Sequence, residues 1–313
     1  MKAWGSSNES AVTEFILLGF PEMHNFQKLL FVFFSFAYVL TVAGNLLIII
    51  IIKTDSHLHR PMYLFLSNFA FIQIWYTTVT VPKLLSGFLV KTNKISIDAC
   101  FAQCYFFFFL AGIENFLLAI MAYDRYLAIC HPLHYTKIMT TTLCWSLLSG
   151  CWLGIFLGSL VPIIYLTKLN FCGANTINHF FCDVSPLLKL SCSDTSFLKS
   201  NFFSLMWVII FSCLSLTMLS YINIIFVIMK IPSTVSRLKV FSTCGSHLTV
   251  VIIYYSAVIF SYVRPKERYS FQEDKMISVF YSILTPLLNP FIYCLRNKEV
   301  KLALLKITKR KFV

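Results

Sequence analysis

Apolar residues fill this chain in seven blocks, at 26–52, 60–88, 99–129, 141–166, 198–229, 238–262 and 273–295, parted by short polar connections. Crossing a bilayer as an α-helix takes roughly 20 apolar residues, and each block supplies them. Phe, Ile and Leu fill the blocks without period-two alternation, whereas barrel strands run about ten residues and alternate. The pattern predicts an all-α membrane protein, a seven-transmembrane helix bundle. The connections leave no room for a separate soluble module. The chain therefore divides into a tail at 1–25, one helical domain at 26–295 and a second tail at 296–313. That last stretch is basic and amphipathic and reads as a short helix on the membrane surface.

Composition agrees. The 313 residues are 58% hydrophobic, 17% aromatic and 12% charged, against about 25% charged in soluble domains. Lipid must solvate much of that apolar surface. Charge then sets the orientation. With the N-terminus outside, the inner segments hold Lys53, Arg60, Arg125, Lys137, Lys230, Arg237, Lys239 and seven basic residues between Arg296 and Lys311. Only Asp55, Asp124 and Glu299 oppose them. Basic excess marks the cytoplasmic side, so the N-terminus is expected outside, the C-terminus in the cytoplasm and the chain in the plasma membrane. The same excess attracts anionic membrane lipid and calls for no nucleic acid. Apart from Phe15–Leu18 the first tail is polar and shows no cleavable signal peptide, so the first span is expected to act as its own signal anchor.

Of the eleven cysteines, Cys104, Cys130, Cys144, Cys151, Cys213, Cys244 and Cys294 fall within or at the inner ends of spans and read as small buried hydrophobes. Cys100, Cys172, Cys182 and Cys192 lie on the oxidising side, where disulfides form. Four cysteines allow three connectivities, and spacing does not choose among them. Asn8-Glu9-Ser10 is a glycosylation sequon on the outer tail. His179 near Cys182 and Asp183 invites a metal site, but an oxidised Cys182 cannot ligate, so no metal is expected.

The third block carries the chemistry. Stepping back from Arg125 by threes and fours, Met121, Leu118, Glu114, Ala111 and Phe107 share one helix face. Glu114 lies roughly 16 Å above Arg125 at about 1.5 Å per residue. An acid at membrane depth is expensive and faces the bundle interior. Asn45 and Gln73, polar and mid-span in the first two blocks, are its expected partners, either in a network that fixes packing or in a switch. Asp124 and Arg125, flanked by Tyr123 and Tyr126, form a charge pair at the inner membrane edge. No acid occurs between Lys230 and Arg264. A resting lock on Arg125 must therefore come from Asp124 or from neutral hydrogen bonds.

Asp124-Arg125-Tyr126 and, near the inner end of the seventh block, Asn289-Pro290-Phe291-Ile292-Tyr293 resemble the signatures of class A (rhodopsin-like) G-protein-coupled receptors. Longer motifs narrow the resemblance to the vertebrate olfactory (odorant) receptors of the terrestrial type. They are Pro61 to Asn68 (PMYLFLSN), Met121 to Leu133 (MAYDRYLAICHPL), Ser220-Tyr221, Lys239 to Cys244 (KVFSTC) with Ser246-His247-Leu248, and Pro286 to Pro290 (PLLNP). The resemblance spans nearly the whole chain. It implies bridges Cys100–Cys182 and Cys172–Cys192, an odorant ligand, the olfactory stimulatory G protein as partner, a rise in cAMP, residence in sensory cilia, and no cofactor. Two residues depart from the family pattern. Gln73 stands where an acid is usual, which removes one of two carboxylates from a sodium site. Val240 stands where Ala is common, with no expected consequence.

The outer halves of spans three, five, six and seven bring Phe107, Phe108, Ala111, Gly112, Met206, Tyr255, Val258, Ile259, Tyr262, Val279 and Ser282 to a candidate ligand cavity, aromatic and mostly neutral. No Asp lies between Phe101 and Ile113 and no Lys between Met276 and Leu295, so aminergic ligands and a retinal Schiff base are not expected. At the inner end Asp124, Arg125, Tyr126, Tyr221, Lys239, Asn289, Pro290 and Tyr293 are the candidate switch and coupling residues. Rival readings are a class A receptor for another small neutral ligand, or a channel or transporter. The latter would want internal repeats, broken helices or several intramembrane charges. An enzyme is not expected, because no metal-ligand motif or nucleophile–base pair sits at membrane depth.

Overall fold

The structure is a computed structural model that describes residues 12–172, 175–262 and 271–310. The sequon at Asn8 lies outside the described residues. So do the side chains of Lys239 and Tyr262, although their helix is described.

Eleven α-helices, two short 3₁₀ helices, one π-helical turn and three short strands are the elements of the described residues. Helices α1 (Gln27–Thr54), α2 (Pro61–Leu89), α3 (Ile97–Cys130), α5 (Thr141–Leu166), α7 (Ser196–Met229) and α8 (Thr234–Tyr262) are the first six spans. The seventh is α9 (Phe271–Val279), a π-helical turn (Phe280–Leu284) and α10 (Thr285–Arg296). Six of the seven are long and apolar enough to cross a membrane; the sixth span holds the shorter apolar stretch Cys244–Phe260. Helix ends fall within about four residues of those expected. Short helices occupy connections: α4 (Pro132–Ile138), α6 (Val184–Leu190) and the terminal amphipathic α11 (Lys298–Arg310).

Local chemistry starts these helices. Pro61, after extended Arg60, opens α2, where a missing N–H costs nothing. Ser96 caps α3 by accepting from Ala99 N, and Thr140 caps α5 by accepting from Leu143 N. α3 is the central rod. Its most apolar stretch is 78% buried, against 17% in α5 and 22% in α7, which face lipid. α1 and α10 approach closely, because Gly44 lies against Pro290. A Cβ on Gly44 would stand 2.9 Å from Pro290 Cβ.

The outer end carries a roof that hydropathy did not forecast. In the first tail, β1 (Glu14–Leu17) pairs antiparallel with β2 (Lys94–Ser96) and parallel with β3 (Thr176–Ile177). Phe15 and Leu17 alternate inward and are buried, as a half-buried strand requires. Disulfides Cys100–Cys182 and Cys172–Cys192 are formed, with Cα separations of 5.4 and 5.9 Å. The first ties the outer loop to the start of α3, and the second staples the loop to itself. At the inner end α11 is held by Lys306–Asp55 (3.5 Å), Glu299–Arg60 (3.4 Å) and Tyr63 Oη donating to Glu299 (2.8 Å). The His57 backbone N–H, then its ring and Lys306, hold Asp55 below the usual carboxylate range.

Candidate functional site

Two regions matter, one beneath the roof and one at the inner end. Beneath the roof the Phe107 ring, 1% exposed, is surrounded by aromatics: Phe181 at 4.6 Å between centroids, Tyr76 at 4.9 Å, Phe108 at 5.4 Å and Tyr281 at 6.0 Å. Phe108 meets Phe202 of α7 edge-on at 4.8 Å. Gln103 holds the roof in place. Its side chain accepts from Cys182 N at 2.9 Å and donates to the Val79 carbonyl at 2.7 Å. His179 stacks on Phe180 and meets Ser278 Oγ at 3.2 Å, linking roof to seventh span.

The structure does not gather all the expected ligand residues. Phe107, Phe108, Tyr255, Val258, Val279 and Ser282 are buried. Ala111 and Met206 are half-buried against the core. The Ala111 carbonyl accepts from Asn115 Nδ2 and Tyr254 Oη, which ties α3 to α8. Gly112 points elsewhere: a Cβ there would stand 2.7 Å from Ile155 Cγ2, so it faces α5. Ile259 is 36% exposed on the outer surface of α8. A helical step of 100° per residue explains both placements, since neighbours of an inward residue swing toward other helices. Sequence reasoning missed Tyr76, Phe181, Phe202, Tyr254 and Tyr281. Asn115 had a readable signal, being a second polar residue at membrane depth.

The central polar group is smaller than expected. Gln73 Nε2 donates to Glu114 Oε1 at 2.7 Å, both side chains buried. Asn45 does not join them. It donates to the carbonyls of Thr41 and Pro286, serving the α1–α10 contact.

At the inner end the expected charge pair is split. Asp124, 1% exposed, accepts from Tyr135 Oη of α4 at 2.8 Å. No ion pair within 4.0 Å joins it to Arg125 among the described residues, and the buried Arg125 Nε has no hydrogen-bond partner. Consecutive residues on a helix diverge by about 100°, which sends Asp124 toward α4 and Arg125 into the bundle. There Arg125 is within electrostatic reach of Tyr221, His247 and Tyr293. Tyr221 Oη meets His247 Nδ1 at 2.6 Å, joining α7 to α8. Tyr126 Oη meets His131 Nε2 at 2.9 Å. Tyr293 is fully buried against Phe69, and its hydroxyl, like both amide atoms of Asn289, has no partner. Pro290 supplies the surface that receives Gly44.

Likeness to known proteins fits this architecture. A family profile described as olfactory receptor matches residues 34–311. The rat protein named olfactory receptor 226 and the human olfactory receptor 6A2 are each 51% identical over 302 residues, covering 95% of this chain and 92% of theirs. Human olfactory receptor 6B1 is 51% identical over 300 residues, covering 96% of both chains. Among solved structures, squid rhodopsin superimposes with a TM-score of 0.69 at 17% identity, covering 93% of this chain and 87% of its own, and so shares the seven-helix fold. Profile and relatives span nearly the whole chain, the stretch from Pro61 to Tyr293 included: this protein belongs to the olfactory receptor family.

Proposed function

We propose that a small, mostly apolar volatile binds among Phe107, Phe108, Ala111, Tyr255, Val258, Val279 and Ser282, with Met206 at the edge of that group. Gly112, Ile259 and Tyr262 belong to the same outer halves, but the first two face away from it. The observation that carries this reading is the aromatic cage around Phe107 under a disulfide-tethered roof. Such a cage offers area burial and few polar partners, which suits a neutral ligand of about ten heavy atoms and gives micromolar rather than nanomolar affinity.

Binding shifts the population toward a state in which the inner end of α8 moves outward. Arg125, with Tyr221 and Tyr293, then helps form the socket for the olfactory stimulatory G protein, and cAMP rises. Lys239 and the basic residues Lys230, Arg237 and Lys298 rim that socket. Asp124, Tyr126 and Pro290 hold its helices in register, and Asn289 belongs to the same inner end. The N-terminal tail is extracellular and carries sugar at Asn8, the C-terminal tail lies on anionic lipid in the cytoplasm, and the protein works in the plasma membrane of sensory cilia. The test is cAMP output from cells with confirmed surface display, across volatile alcohols, aldehydes, ketones, esters, acids and amines. A dose-dependent rise absent from mock-transfected cells is expected. A ligand-evoked current without cAMP would favour a channel instead.

A further inference from the structure

Lys275 is the odd residue in the outer half of the bundle. It lies on α9, its side chain is 1% exposed, and its Nζ has no hydrogen-bond partner. An ammonium carries three N–H donors and no acceptor. A buried polar group left unpaired is costly, so such groups mark where water or a ligand completes the structure. Among the described residues the carboxylate within ion-pair range, Glu22 on the segment leading into α1, stands 3.9 Å away. That is close enough to balance the charge and too far to accept a hydrogen bond.

The helix face that carries it is buried. Lys275, Ser278 and Ser282 follow at helical spacings of three and four on one face of the seventh span, and all three are buried. Ser278 meets His179 of the roof and accepts from Tyr281 Oη, and the Tyr281 ring lies 6.0 Å from Phe107. Lys275 therefore sits, on the helix, one turn outward of the groups that frame the aromatic cage.

We infer that Lys275 is a polar subsite that receives the carbonyl oxygen of the ligand. This rests on the reading of the cage as the ligand site and names the ligand class it takes. A carbonyl supplies an acceptor without adding charge. A carboxylate would bring a second anion beside Glu22. An alkane offers no acceptor, and an alcohol satisfies the donor but must place its own hydrogen.

The test compares ligands of one chain length, an aldehyde or ketone, the alcohol, the carboxylic acid and the hydrocarbon, on surface-displayed wild type, Lys275→Met and Glu22→Gln. Hydrogen bonds to charged groups are worth enough for Lys275→Met to weaken carbonyl potency on the order of 10- to 100-fold, with alcohol and hydrocarbon shifted about threefold or less. Glu22→Gln should keep the carbonyl preference and improve the matched acid, since the ammonium then lacks its counter-charge. An equal shift for every ligand in both variants would instead make Lys275 and Glu22 a strap holding the outer tail, and would overturn the subsite. Lys275→Gln replaces Lys275→Met if the latter fails to reach the surface. Ligand-induced thermal stabilisation of purified protein separates the two readings. Carbonyl-selective stabilisation lost in Lys275→Met, without cAMP output, sinks the signalling reading and keeps the subsite. Robust cAMP with no dependence on Lys275 does the reverse. Wild type unmoved by any of the four ligands in either assay overturns the subsite.

Discussion

At the scale of single residues, hydrogen-bond geometry decides what each polar group can do. Asp124 was one of two expected holds on Arg125, the other being neutral hydrogen bonds, and it accepts from Tyr135. Losing a donor strands a buried acceptor at a cost of about 1–3 kcal/mol. Tyr135→Phe should therefore lower the melting temperature of the purified receptor, and adding it to Asp124→Ala should cost little more. Full additivity would show that the two side chains do not work together. The Gln73–Glu114 bond makes a second case. A sodium ion here would meet one carboxylate and an amide where two carboxylates would serve it better. Replacing sodium by choline should leave agonist potency within about twofold in wild type, and Gln73→Asp should introduce a clear sodium dependence by restoring the second oxygen anion. The identity of such residues could be read from the sequence, because an acid at membrane depth is conspicuous. Their partners could not, because consecutive positions on a helix point 100° apart. The chain shows Asp124 beside Arg125 without showing that they face different helices.

At the scale of elements, the spans were readable because bilayer thickness sets their length. Which face looks inward was not. In α1, Leu29, Val32, Phe36 and Val39 are all large, apolar and more than 60% exposed. In lipid such residues cover the outside as readily as the inside, so hydropathy loses the amphipathic signal that marks a core face in water. That is why Gly112 and Ile259 were grouped with Phe107. The outer sheet was missed for a different reason. Three strands of two to four residues carry too little pattern to read, and β1 is held by partners far away in sequence. Close helix contacts, by contrast, leave a readable mark where a small residue meets a bulky one. Gly44→Val would drive side-chain atoms into Pro290. Overpacking typically costs about 1–3 kcal/mol, so surface display should fall at 37 °C and recover in part at lower growth temperature. Gly150, whose Cβ would meet nothing within 4 Å, should tolerate the same change. Equal loss at both sites would mean that the α1–α10 contact is not the reason.

At the scale of the whole molecule, the protein is a rod, α3, around which other helices turn, with a roof fastened to its outer end and a cation exposed to the interior at its inner end. The two ends are joined through packed side chains on α3, α7 and α8: Asn115 of α3 to Tyr254 of α8 at mid-depth, then Tyr221 of α7 to His247 of α8 below. Coupling needs an element with two arrangements that both sites bias, and α8 touches both. Arg125 is the diagnostic residue, because among the described residues no carboxylate holds it. Were it the moving half of an ionic lock, Arg125→Ala would free the inner end and raise ligand-independent cAMP. With no ion pair to break, the substitution should leave basal output unchanged, remove at least nine-tenths of agonist-driven cAMP, and leave ligand-induced thermal stabilisation intact. The residue would then serve only the active state, as a contact made with the G protein. Higher basal cAMP in Arg125→Ala would place a lock in the resting state. Full agonist response at normal surface display would remove Arg125 from the coupling step altogether.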